Sequence, residues 1–175
     1  MAKYVALLRG INVGRAKAIS MAELAAVFTG LGYDDVRTVL RSGNVIFSSD
    51  HPLGVSAPTV IESAVFEATG VQSTVLVVPA AEFVAATQAN PFAEVATDGS
   101  KLFVTFLHTL PADLELPDAA ALAPELLAVG DRVVYQWMPD GSMQTRVPKG
   151  FWKQFPQPGT ARNDNTLRKL VTLME

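Results

Sequence analysis

The stretch YVALLRGINVG, Tyr4–Gly14, decides how the chain is read. Tyr4 to Leu8 is continuously apolar, which suits a short central strand. The run then breaks into Arg9, Gly10, Ile11, Asn12, Val13 and Gly14. Glycine lets a backbone turn sharply or approach a ligand closely. Arginine offers a planar fork of donors, and asparagine both donates and accepts. A buried strand therefore ends in residues suited to a turn or to an anion.

Working outward, Ser20-Met21-Ala22-Glu23 reads as a capping box. Met21, Leu24, Ala25, Phe28 and Leu31 follow at helical spacing, and Gly30 and Gly32 close the helix. Residues 35–41 and 44–49 read as strands around a tight turn at Ser42-Gly43-Asn44. Pro58 opens a second helix that carries Ile61, Ala64, Val65 and Ala68 on one face and stops at Gly70. Gln72 to Val78 reads as a fourth strand. The order strand-helix-strand-strand-helix-strand is the ferredoxin-like pattern, a four-stranded antiparallel sheet with two helices on one face.

A helix over 79–89 comes next, then a break at Asn90-Pro91-Phe92 and a loop over 93–100. The pattern restarts with a strand over 102–107 and an Ala/Leu helix over 118–128. Residues 132–138 and 142–147 read as a hairpin around Pro139-Asp140-Gly141, and 163–174 as a last helix. The expected fold class is α+β, with two ferredoxin-like halves and antiparallel sheets that carry helices packed on one face. The expected division is a first half at 1–78, a helix and linker at 79–100, and a degenerate second half at 101–175. No repeat is visible at the level of residues.

In such a half the first and third strands are antiparallel neighbours. The end of the first therefore lies beside the start of the third. Arg9, Gly10 and Asn12 are expected to meet Arg41, Ser42, Gly43 and Asn44 at one sheet edge, as the parts of an anion pocket. Arg162, Asn163 and Asn165 form a third candidate group. There Asn163 or Asp164 caps the last helix, and its N-terminus offers free amides. A carboxylate at Asp164 competes with any anion bound there.

The same stretches carry a resemblance. YVALLRGINVG, MAELAAVFTGLGYDDVRTVLRSGNVIF, NPF and TARNDNTLRKL resemble the bacterial family called domain of unknown function 1697, in order from Tyr4 to Leu170. The resemblance implies two ferredoxin-like subdomains and no established activity. The family commonly carries an aromatic at the positions of Val39 and Asp164. A ring-stacking site built on those aromatics would be altered here.

Composition bounds the rest. Of the 175 residues, 49% are apolar and 18% charged, enough apolar surface for a core and too much for a disordered chain. There is no cysteine, which excludes disulfides, zinc-thiolate sites and thiol nucleophiles. Met1-Ala2-Lys3-Tyr4 starts no apolar leader, and no run of 18 apolar residues occurs, so a cytoplasmic soluble protein is expected. The net charge of −3 is uneven: residues 1–49 hold six Lys/Arg and three Asp/Glu, residues 50–140 two and twelve, residues 141–175 six and two. Both ends are basic on an acidic protein.

No metal-ligand or cofactor motif is present, and no catalytic residue is assigned. His51 and His108 lack an evident partner, and Ser42 lacks the context of a nucleophile elbow. The aliphatic first and third strands carry no aromatic platform for bases, so a nucleic-acid role is not favoured. Trp137, Phe151, Trp152 and Phe155 either pack the halves together or close over a ligand. The expected function is binding of a small anionic ligand, a nucleotide or phosphorylated metabolite, at the edge formed by loops 9–14 and 41–44. The alternative is a non-catalytic protein-interaction or nucleic-acid-associated module. Oligomeric state stays open.

Overall fold

A computed structural model describes residues 1–175. The chain divides into two compact units, Met1–Phe83 and Val84–Leu173. Each carries one four-stranded antiparallel sheet with helices, an α+β architecture.

In the first unit the order is β1 (Ala2–Arg9), α1 (Met21–Gly30), β2 (Asp34–Val39), β3 (Asn44–Ser49), α2 (Ala57–Thr69) and β4 (Thr74–Pro79), and α3 (Ala80–Gln88) runs across the division into the second. The sheet order is β2-β3-β1-β4, consistent with the ferredoxin-like pattern. The central strands β1 and β3 pair antiparallel, with Leu7 opposite Asn44. Tyr4, Ala6, Leu8, Val45, Phe47 and Val75 share a core with Leu24, Phe28, Ile61 and Val65 of the two helices. Phe47 is its aromatic centre, 5.2 Å from Phe28 and 4.6 Å from Tyr33 between ring centroids. Such pairs add about 1 kcal/mol each beyond the area they bury. Val5, Leu7, Ile46 and Leu76, on the opposite face, are buried as well.

The capping box forms as its spacing requires. Glu23 N donates to Ser20 Oγ at 3.0 Å and Ser20 N donates to Glu23 Oε2 at 2.9 Å. The Ser20 backbone and side-chain bonds hold the Glu23 carboxyl below its ordinary value. Gly70, at φ +71, ends α2 in the left-handed conformation.

In the second unit the order is β5 (Leu102–Phe106), α4 (Ala119–Leu122), β6 (Leu126–Val129), β7 (Val133–Trp137), α5 (Lys149–Trp152), β8 (Thr160–Asn163) and α6 (Asp164–Met174). The sheet order β6-β7-β5-β8 repeats that of the first unit strand for strand. Three expectations need correction here. The helix expected over 118–128 is a single turn, because Pro124 lacks an amide and holds Ala123 extended at ψ 135. The chain beyond it becomes β6, which takes the place beside β7 expected of 142–147.

Residues 142–147 are not a strand. Ser142–Gln144 make a 3-10 turn, and the buried Glu125 carboxylate holds Thr145 and Arg146 beyond it. It accepts from Thr145 Oγ1 at 2.7 Å, Arg146 N at 2.7 Å and Gln136 Nε2 at 3.2 Å. The third correction is β8. Its sequence, Thr160-Ala161-Arg162-Asn163, shows no apolar alternation, and its pairing with β5 defines it. Phe151, Trp152 and Phe155 interlock at centroid distances of 4.9–5.9 Å. They pack with Leu107, Leu122, Val134 and Val147, inside the second unit. No helix is long and apolar enough to cross a membrane.

Candidate functional site at the end of the first strand

Asn12 is the hub of the first candidate group. Its Nδ2 donates to the Arg41 carbonyl at 2.6 Å. Its Oδ1 accepts from Ile19 N at 2.9 Å, and its own N donates to the Lys17 carbonyl at 2.6 Å. One residue thus ties the β1–α1 loop to itself and to the β2–β3 turn. It does so at φ +54, a left-handed conformation that asparagine tolerates better than most residues.

The turn has its own clamp. Asn44 is fully buried, and its Nδ2 donates to Val39 O at 2.8 Å and Ser42 Oγ at 3.0 Å. Leu40 and Gly43 take positive φ, at 60° and 93°. Gly43 is needed for space as well: a Cβ there would lie 2.8 Å from Ile11 Cδ1 and 2.9 Å from Leu8 Cβ. The close approach lets Leu8 N donate to Gly43 O at 2.8 Å, which extends the β1–β3 ladder by one bond. Loops 9–14 and 41–44 therefore meet, through Leu8, Ile11, Asn12, Arg41 and Gly43.

The two asparagines serve this junction. Asn44 lies beneath the turn with no exposed surface, and Asn12 is half-buried with its amide on the backbone. The charges stand outside. Arg9, Arg41 and Ser42 are exposed, and Gly10, at φ +83, is half-buried. The junction also gathers two cations that the sequence pattern did not single out. Arg15 and Lys17, in the 3-10 turn Arg15–Lys17, are exposed, and the Lys17 carbonyl sits on Asn12. Their signal was present: four of the six Lys/Arg before residue 50 fall at 9, 15, 17 and 41. Residues 10–22 and 36–49 contain no Asp or Glu. Asp34 pairs with Ser48, at the far end of β3 from Asn44. The two loops themselves thus carry positive charge only, suited to an anion, while on the β4 side the Glu62 carboxylate accepts from Val75 N at 2.8 Å, opposite Leu8.

The third candidate group lies in the second unit. Arg162 is 9% exposed, and its Nη1 donates to Ala161 O at 2.9 Å. Burial pushes its guanidinium down to about 10, so it stays a cation at neutral pH. Asn163 is the cap of α6: its Oδ1 accepts from Thr166 N at 3.0 Å. Asn165 packs over Gly99, where a Cβ would lie 2.3 Å from its Oδ1. Asp164 is buried and accepts from Arg168 Nε at 2.5 Å, one helical turn on. His51 is exposed in a loop and its N–H turns back to Ser49 Oγ, while His108 is half-buried after β5.

Residues 1–135 match the family described as "Protein of unknown function (DUF1697)". The chain belongs to the DUF1697 family. The match contains β1, the Asn12 junction, the whole first sheet and most of the second. The DUF1697 chain is also similar to a solved structure, the conserved bacterial protein SP0830 from Streptococcus pneumoniae. The TM-score is 0.70 at 24% identity, with 99% of this chain and 98% of that one covered. That likeness supports the fold over the full length. A search of curated proteins found no match. In this DUF1697 chain Val39 is buried, and Asp164 is held by Arg168.

Proposed function

We propose that the edge of the first unit around Asn12 binds a small anionic ligand, a nucleotide or a phosphorylated metabolite. Arg9 and Arg41 are its contact residues, Gly10, Ser42 and Gly43 shape it, and Asn12 and Asn44 hold it in place. The supporting observation is a comparison between the two units. β5, β6 and β7 repeat the pairing of β1, β2 and β3. Leu107 N donates to Arg132 O at 2.9 Å as Leu8 N donates to Gly43 O at 2.8 Å. Both turns have a residue of positive φ at that carbonyl, Gly43 and Arg132.

The charges do not repeat. The second turn is the short Gly130-Asp131-Arg132, and the loop after β5 carries no Lys or Arg until Arg132. The fold thus builds this junction without a cation cluster. The cluster at 9, 15, 17 and 41 asks for a reason other than folding. The buried, aliphatic Val5, Leu7, Val45 and Ile46 offer no open surface for stacked bases, which favours a compact ligand over an extended nucleic acid.

The test is a thermal-shift series on the wild type and on the double variant Arg9→Ala/Arg41→Ala, at low salt, against nucleotides, sugar phosphates, simple carboxylates and short oligonucleotides. A ligand at a hundredfold excess over its dissociation constant stabilises the native state by about 2.7 kcal/mol. The proposal expects a selective rise with phosphates that the double variant loses while keeping its circular dichroism spectrum. Absence of any rise with anions overturns it.

A further inference from the structure

We infer that the preferred ligand of this edge carries a chain of linked phosphates, a di- or triphosphate, and that Arg15 and Lys17 contact its distal groups. The inference rests on the anion-binding reading and narrows it to a charge class.

Asn12 bonds Arg41 through its side chain and Lys17 through its main-chain nitrogen, both at 2.6 Å. The backbones of Arg41 and Lys17 are thus held on two sides of one residue. Arg15 stands two residues before Lys17 in the same 3-10 turn and adds a further cation to that loop. Arg15, Lys17 and Arg41 are all exposed on long side chains. One phosphate meets few of these cations at contact distance, whereas a chain of two or three phosphates spans several.

The asparagine amides of the junction are bonded to backbone or to Ser42, and Asn44 is out of reach. With both asparagine amides engaged inside the protein, attraction to the exposed cations carries most of the affinity. Such attraction grows with the number of charges on the ligand and falls with salt. The exposed Val13 and Leu40 flank the cations and leave room for an apolar or ring-bearing tail.

The experiment is calorimetric titration of the full chain with orthophosphate, pyrophosphate and tripolyphosphate at low salt. The wild type is compared with Arg15→Ala/Lys17→Ala. The expected result is affinity rising about tenfold per added phosphate. The double variant should bind tripolyphosphate about tenfold more weakly and orthophosphate nearly unchanged. Equal affinity for all three probes, or a variant that binds tripolyphosphate as the wild type does, overturns the polyphosphate inference and leaves the anion reading standing. Binding of none of the three overturns both. An unfolding curve for the variant that coincides with the wild type shows that the loss is not one of folding.

Discussion

Replacing Asn12 with alanine should loosen the basic edge and destabilise the first unit by about 2–3 kcal/mol. The figure has two parts. The side chain makes two hydrogen bonds, to Arg41 O at 2.6 Å and from Ile19 N at 2.9 Å. Both are at least partly solvated, so each contributes about 0.5–1 kcal/mol net. The residue also sits at φ +54, where alanine costs about 1 kcal/mol more than asparagine or glycine. Asn12→Gly separates the parts, because it loses both bonds and keeps the backbone at ease. Urea unfolding of the two variants should place Asn12→Gly about 1 kcal/mol above Asn12→Ala. Both should weaken phosphate binding, since Arg41 O is released from residue 12 while the main-chain bond to Lys17 O remains. A loss below about 0.5 kcal/mol for Asn12→Ala would refute the view of Asn12 as the clamp of this junction.

Gly43→Ala should be worse than its size suggests. Its Cβ would meet Ile11 and Leu8 at under 3 Å, at φ +93, for a cost of about 3 kcal/mol in the same assay. Gly14→Ala, at φ +74 but with no atom within 4 Å, should cost about 1 kcal/mol. Glu125→Ala leaves three donors without their acceptor and should destabilise by about 3 kcal/mol or more. Faster amide exchange over 142–147 would report that segment's release. The Glu23 carboxyl is depressed in the folded state, so its contribution is present above the unfolded carboxyl value and is lost as pH falls through the folded one. Glu23→Gln should therefore flatten that part of the stability–pH curve, and an unchanged curve would contradict the capping role.

How much of the structure is legible in the sequence depends on how local each feature is. The capping box, the apolar run Tyr4–Leu8 and the Gly70 stop are signals within one turn or one strand, and the structure keeps them. The meeting of the two loops was legible because strand order is set by the alternation of elements, and the Asn12–Arg41 bond bears it out. The second unit was less legible. The Ala/Leu composition of 118–128 spoke for a helix, but one proline and a buried carboxylate redirect the chain into β6. β8 has a polar sequence and exists through its pairing with β5, which no local pattern announces. At the site, residue types showed where charge and turns occur. They did not show that Asn44 points inward, nor that the Lys17 carbonyl comes back to Asn12.

The most direct test of the central claim is an amide-resolved NMR titration of the isotope-labelled protein with tripolyphosphate at low salt. The account predicts that the largest shifts fall on the amides of Val13–Lys17 and Arg41–Gly43, saturate together, and disappear in Arg9→Ala/Arg41→Ala. Shifts centred elsewhere on the chain, or none at concentrations up to the millimolar range, would contradict it.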